Sequence, residues 1–221
     1  MKLTEEHIAH IEETLVLNGL YFEDLKLEVT DHIASEIEIL MEENTLPFEE
    51  NFKLVLDKWK PQLQPSFSFL IGFANPKIMT TKCHELIKNK LLIVICIASF
   101  TTSLVLLLTR NLEFLAFILE IQQVFKTFIF VVFCLVLSIW GLLSLSKRQT
   151  SFSYLIKKKS IGLFIFLFMI GIGLFPAQLN HTDFKISFVT IFISIIYVLL
   201  AGMYLQLALK HFQFERKLKN N

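Results

Sequence analysis

From residue 91 onward, apolar residues form four long runs that contain no charged side chain. The runs cover residues 91–108, 127–145, 161–179 and 186–209. An apolar helix needs about 20 residues, within a range of roughly 17–25, to cross the hydrocarbon core of a bilayer. Because each run has that length, the pattern predicts four transmembrane helices.

The first 60 residues have a different pattern, in which apolar residues recur at intervals of three and four. This spacing is typical of amphipathic helices, and it predicts three of them. Thr4 is expected to cap the first helix and Gly19 to break it. The second is expected over residues 22–44. Thr45 is expected to cap the third helix and Pro61 to end it.

Together the two patterns predict an all-α protein, with a small cytoplasmic three-helix domain followed by a four-helix transmembrane bundle. The proline-containing stretch between the two parts is expected to be an irregular linker. The predicted layout is an acidic helical domain, a juxtamembrane linker, the transmembrane part and a basic tail, at residues 1–60, 61–85, 86–210 and 211–221 respectively. Residues 111–126 are apolar but contain charged positions, and they are compatible with an interfacial helix, a loop or an extension of the second span.

Charge divides the chain in the same place. Residues 1–76 contain 15 acidic and 5 basic residues, a net charge of −10, whereas residues 77–221 contain 5 acidic and 16 basic residues, a net charge of +11. An acidic part of this size argues against a generally basic nucleic-acid-binding protein, and no nucleic acid is expected as a partner.

The lysines and arginines that flank the four runs predict the orientation in the membrane. Thirteen lie on the side that carries the two termini and three on the opposite side. Basic residues concentrate on the cytoplasmic side of membrane proteins. Both termini and the acidic domain are therefore expected in the cytoplasm, with the chain a multi-pass protein of the bacterial inner membrane. The N-terminus has no signal-peptide pattern, so the first span is expected to act as an internal anchor.

Catalytic chemistry is not indicated by the sequence. The four apolar runs lack ionisable residues at mid-depth, and the chain has no phosphate-binding loop, nucleophile motif or zinc-ligand spacing. His32 with Glu36, and His7 with His10, are the pairs with helical spacing that a metal could use, but neither has a third ligand in sequence reach. We therefore expect no enzyme activity, no cofactor and no metal.

The segment GLYFEDLKLEVTDHIASEIEILMEENTLPFEENFKLVLDKW, residues 19–59, resembles the small helical domain called HAAS. The similarity rests on an acidic helix with Asp31-His32-Ile33, a glutamate run, a short turn and the final FEE…KLVLDKW. Such domains commonly precede transmembrane helices in bacterial proteins encoded beside PadR-type transcription regulators, and the segment is especially similar to membrane proteins of Bacteroidetes. The resemblance implies a signalling or regulatory role rather than a reaction.

These observations predict a non-catalytic, membrane-anchored regulatory or scaffolding protein whose acidic domain binds a protein partner. A transcription regulator, or a second copy of the chain, is the expected partner. The alternative function is an accessory or small permease component of a transport system. The candidate partner-binding residues are Glu28, Asp31, His32, Glu36 and Trp59, of which the last is equally compatible with a place in the core. A further hypothesis is that the acidic domain is attracted to the basic stretch 146–160.

Overall fold

The computed structural model describes residues 2–68, 72–174 and 184–220, and these residues are almost wholly helical. The elements are α1 (Glu5–Leu17), α2 (Glu23–Glu43), α3 (Phe48–Leu63), β1 (Pro65–Ser68), β2 (Gly72–Pro76), α4 (Lys77–Leu108), α5 (Leu112–Leu145), α6 (Ser151–Gly171) and α7 (Phe184–Asn220). The all-α prediction is confirmed, with one small hairpin added.

The chain forms two compact units. The first comprises Met1–Leu86 together with Lys147–Leu155, and the second comprises Ile87–Ser146 together with Ile156–Asn221. We call them the acidic unit and the membrane unit, because the first contains 16 acidic and 9 basic residues, a net charge of −7, and the second contains the long apolar helices.

Helix α2 is the centre of the acidic unit, since α1 and α3 both pack against it. The periodic apolar positions are the ones that become buried, as the spacing predicts. Ile33 and Ile37 on α2 are completely buried, and so are Ile11 and Leu15 on α1. Burying an aliphatic side chain of this size contributes roughly 1.5–3 kcal/mol relative to leaving it exposed. The stripe on α2 therefore holds the unit together.

Both expected ends of α1 are confirmed. The Thr4 side chain accepts a hydrogen bond from the backbone N–H of His7, and the His7 ring accepts one from the Thr4 backbone N–H. This is a reciprocal capping box with histidine in the place usually held by glutamate or glutamine. At the other end, Gly19 has φ +86°, a left-handed conformation that costs glycine least.

The turn between α2 and α3 differs from the prediction, and the expectation that Thr45 caps α3 is wrong. The N-cap residue is Pro47, which has no capping side chain. The turn is instead stabilised by an amide pair. The Asn44 side chain donates to Asn51 Oδ1 over 2.8 Å, and the Asn51 side chain donates to the Leu46 carbonyl oxygen over 3.0 Å. Asn51 is completely buried, so this pair satisfies polar groups that water cannot reach.

Pro61 does not end α3, contrary to expectation, because the helix continues to Leu63. A proline removes one hydrogen bond to the preceding turn, and so close to the helix end that loss is offset by burial of Leu63. Residues 65–68 and 72–85 of the predicted linker are also ordered. They form the antiparallel hairpin β1–β2, in which Pro65 is opposite Pro76, and then the first turns of α4. Proline is tolerated there because both strands are edge strands.

Within the described parts of the chain, three helices are long and apolar enough to cross a membrane. They lie in Lys77–Leu108, Gln123–Leu145 and Phe188–Lys219, and they contain the predicted first and second spans and residues 188–209 of the predicted fourth. Only residues 161–171 of the predicted third span lie in α6, which ends at Gly171 and carries three lysines in its first half. Residues 175–179 of that span lie outside the described residues. The chain is thus a membrane protein, and its third predicted span stays a prediction.

Residues 112–126, whose state the sequence left open, are helical and continuous with the second span in α5. Asn111 caps this helix by accepting a hydrogen bond from the backbone N–H of Glu113, over 2.9 Å. The connection from α4 is therefore only three residues long, from Thr109 to Asn111. Of the three alternatives, interfacial helix, loop and extension of the second span, the loop is therefore excluded.

Helix α6 approaches the backbone of α5 closely at a glycine. A Cβ atom placed on Gly171 would lie 3.2 Å from the Cα atom of Phe130, closer than ordinary contact. Small residues allow transmembrane helices to approach in this way. Gly162, nine residues earlier in α6, has nothing within 4 Å of a Cβ atom placed on it. The close approach is therefore specific to Gly171.

Candidate functional site

A groove of about 260 Å³ lies in the acidic unit between α2, α3 and the first turns of α4. Residues of α2 three and four positions apart line one wall, because that spacing places them on one helix face. The lining residues are Leu25, Glu28, Val29 and His32 from α2, Trp59 and Gln62 from α3, and Ile78, Thr81, Lys82 and Glu85 from α4. The groove thus combines an apolar base with charged groups and two aromatic rings.

The aromatic rings of His32 and Trp59 face each other across the groove. Their centroids are 6.4 Å apart, and their planes are inclined by 26°. The indole Nε1 of Trp59 is buried and has no hydrogen-bond partner in the described parts of the chain. A buried indole N–H normally finds an acceptor, so this donor is unusual in having none within the described residues.

Charge in the groove is partly neutralised by an ion pair. The Lys82 ammonium donates to both carboxylate oxygens of Glu28, over 2.9 and 2.8 Å. Both side chains remain more than one third exposed, at 37% and 47% of their accessible surface. An exposed pair of this kind contributes about 0.2–1 kcal/mol, so an incoming cation can replace Lys82 at small cost. Glu85, three residues further along α4, adds a second carboxylate to the lining.

The structure brings three of the five predicted residues together at this groove, namely Glu28, His32 and Trp59. Glu36 lies elsewhere and forms an ion pair with Lys58 at 2.8 Å. Asp31 is exposed and is not among the lining residues. The predicted acidic face of α2 therefore divides into a groove side and an outer side.

Four lining residues of α4 were missed, because the sequence assigned them to an irregular linker. They are Ile78, Thr81, Lys82 and Glu85. Their spacing of three and four positions is a helical signal that precedes the first apolar run. Extending the predicted helix of that run towards the N-terminus as far as Lys77 would have identified them.

The loop before α6 belongs to the acidic unit and contacts the first turn of α2. The carboxylate of Asp24 accepts hydrogen bonds from the backbone N–H of Ser151, over 2.8 Å, and from the Ser151 hydroxyl. The backbone N–H of Glu23 donates to the Gln149 carbonyl oxygen over 2.9 Å. Asp24 thus caps the N-terminus of α6 from a distant part of the chain, where negative charge is favoured.

Aromatic and polar contacts of Tyr154 extend this junction. Its hydroxyl accepts a hydrogen bond from the Asn75 side chain over 3.1 Å, and its ring packs edge-to-face on Phe22 with centroids 5.2 Å apart. The stretch 146–160, predicted to be attracted to the acidic domain, therefore contacts it through Gln149, Ser151 and Tyr154. Whether charge attraction adds to these contacts stays a prediction.

The histidines that could suggest a metal site have other contacts. His7 stacks on Phe48 with centroids 3.9 Å apart, and His10 packs against Phe52 at 5.0 Å. Within residues 2–68, 72–174 and 184–220, no group of three or more His, Cys, Asp or Glu side chains is placed to hold a metal ion.

Comparisons with protein-family models, with curated proteins and with solved structures gave no match to this chain. The class defined by the fold is that of an all-α membrane protein. The HAAS resemblance of residues 19–59 stays a prediction, and the functional argument rests on the groove.

Proposed function

We propose that this chain is a non-catalytic regulatory or scaffolding protein of the bacterial inner membrane whose acidic unit binds a basic segment of a partner protein. Both termini and the groove lie in the cytoplasm, and four helices cross the bilayer. The basic flanks of the apolar runs support this orientation. The expected partner is a transcription regulator, in keeping with the HAAS resemblance.

The observation that carries the proposal is the size and lining of the groove. Its volume of about 260 Å³ is below the roughly 300–1,000 Å³ of typical small-molecule sites. It therefore fits one or two side chains of a larger partner better than an enclosed metabolite. An aromatic residue beside a few charged groups is also a common arrangement at the centre of protein interfaces.

Charge complementarity identifies the partner's segment as basic. The acidic unit has a net charge of −7, and two of its carboxylates, those of Glu28 and Glu85, line the groove. An arginine or lysine entering the groove would replace Lys82 at Glu28 and lie near the Trp59 ring. A cation over an indole contributes about 0.5–2 kcal/mol.

Two substitutions on α2 with the same change of charge test the groove. Glu28→Lys places a positive charge in it, and Asp31→Lys places one on the exposed side of the same helix. Intact wild-type and variant proteins would be crosslinked in cell membranes, purified in mild detergent and compared by mass spectrometry, with circular dichroism confirming that both variants fold. We expect the wild type and Asp31→Lys to capture the same protein through a lysine- or arginine-rich peptide, and Glu28→Lys to lose it.

Equal capture by the two variants would exclude the groove as the binding site. Solute flux through the purified protein in proteoliposomes would favour the transport function instead, and it would overturn the proposed non-catalytic regulatory role.

A further inference from the structure

We propose that Lys90, Gln206 and Lys210 form a binding site in the membrane unit for the phosphate group of an anionic membrane lipid. The inference goes beyond the proposed function, and it depends neither on the groove nor on the identity of a partner.

The three residues lie on the two helices that carry the predicted first and fourth spans. Lys90 on α4 directly precedes the apolar run that begins at residue 91, and Lys210 on α7 directly follows the run that ends at residue 209. Both positions are therefore at the level where the hydrocarbon core meets the lipid headgroups. Lysines at this level extend their ammonium groups towards lipid phosphates.

A direct contact joins the two helices at this point. The Lys90 ammonium donates a hydrogen bond to the side-chain oxygen of Gln206 over 3.2 Å. Gln206 and Lys210 are four residues apart on α7 and therefore lie on the same helix face. The amide of Gln206 thus holds the Lys90 ammonium against the α7 surface that carries Lys210.

The hydrogen bond to Gln206 and the helical spacing of Gln206 and Lys210 bring two positive charges to the same part of the α4–α7 surface. Such a pair of like charges is unfavourable, and it costs more where part of the surrounding water is excluded. Nearby on α7, the Glu215 carboxylate accepts a hydrogen bond from the Ser146 hydroxyl and lies 3.5 Å from the His211 ring. A phosphate at this surface would be attracted by both Lys90 and Lys210.

Apolar surface beside the lysines suits the acyl chains of the same ligand. Leu92 and Ile93 follow Lys90 and are 63% and 54% exposed, and Leu209 precedes Lys210 and is 60% exposed. A free phosphate would use the two cations but not these side chains. Cations beside exposed apolar side chains therefore favour a lipid, because the lysines would contact its phosphate and the apolar side chains would contact its acyl chains.

The probe is phosphatidylglycerol, compared with zwitterionic phosphatidylcholine and with inorganic phosphate. Each lipid would be titrated into the intact protein in mild detergent, and bound lipid would be counted by native mass spectrometry. We expect phosphatidylglycerol to bind more tightly than phosphatidylcholine. Removing one lysine as Lys90→Gln should weaken phosphatidylglycerol binding about fivefold, and the double variant with Lys210→Gln about thirtyfold.

Two further double variants keep the result interpretable. Lys90→Arg with Lys210→Arg preserves the charge and should retain binding. Lys159→Gln with Lys217→Gln removes the same total charge from exposed lysines elsewhere and should leave affinity unchanged. Equal binding of the two lipids, or an equal loss in the two glutamine double variants, would overturn the site. Full displacement of phosphatidylglycerol by an equal concentration of inorganic phosphate would assign it to a soluble phosphate instead.

Discussion

Removing the carboxylate of Asp24 should release the N-terminus of α6 from α2. Asp24 accepts two hydrogen bonds from Ser151, one from its backbone N–H and one from its hydroxyl. Asp24→Asn keeps an oxygen for the backbone N–H but cannot accept from the hydroxyl in the same geometry. Asp24→Ala removes both acceptors.

The size of the effect follows from these contacts. A hydrogen bond to a charged group contributes about 1.5–3 kcal/mol and a neutral one about 0.5–1.5 kcal/mol, whereas loss of an N-cap costs about 0.5–2 kcal/mol. We therefore expect a loss of about 1 kcal/mol for Asp24→Asn and about 2 kcal/mol for Asp24→Ala. The equilibrium for local opening should increase about fivefold and about thirtyfold, respectively.

Hydrogen–deuterium exchange measured on peptides covering residues 147–156 reports this opening directly, because the Ser151 amide is one of the hydrogen-bonded groups. Exchange should accelerate about fivefold in Asp24→Asn and about thirtyfold in Asp24→Ala. Asp31→Asn, a matched loss of one charge on the exposed side of α2, should leave the exchange unchanged. If Asp24→Ala changes exchange by less than about twofold, or if Asp31→Asn accelerates it equally, the capping role is refuted.

Three further substitutions or labelling experiments test packing. Gly171→Leu should lower the melting temperature of the detergent-solubilised protein, because its side chain meets the Phe130 backbone, whereas Gly162→Leu should have little effect. Ile33→Ala should destabilise the acidic unit by about 2–5 kcal/mol, measured as earlier loss of helical circular dichroism in denaturant, and a loss below 1 kcal/mol would contradict its place in the core. Cys83 is completely buried and should resist maleimide until the protein is denatured; rapid labelling of the folded protein would show that α4 packs differently.

The sequence predicted what depends on local periodicity. The stripe on α2, the cap at Thr4 and the break at Gly19 follow from the preferences of neighbouring residues, and the structure confirms each of them. The apolar runs also marked the three helices that can cross a membrane. The predictions for Thr45 and Pro61 failed because packing decided each outcome: an Asn44–Asn51 amide pair stabilises the turn without a threonine cap, and α3 continues past the proline to the buried Leu63.

The candidate site shows the same division. Composition and spacing indicated an acidic helix with Glu28, His32 and Trp59, but they did not distinguish the groove side of that helix from the side that carries Asp31. That distinction depends on the first turns of α4, whose Lys82 pairs with a glutamate 54 residues earlier in the chain.

The sequence alone thus determined the class of the protein, because burial in lipid and helix formation both depend on residues close together in the chain. Only the tertiary structure decided which charged residues share a groove and that Asp24 caps a helix beginning 127 residues later. The sequence pattern of one segment does not indicate which distant segment it will contact. These contacts form only when the helices pack.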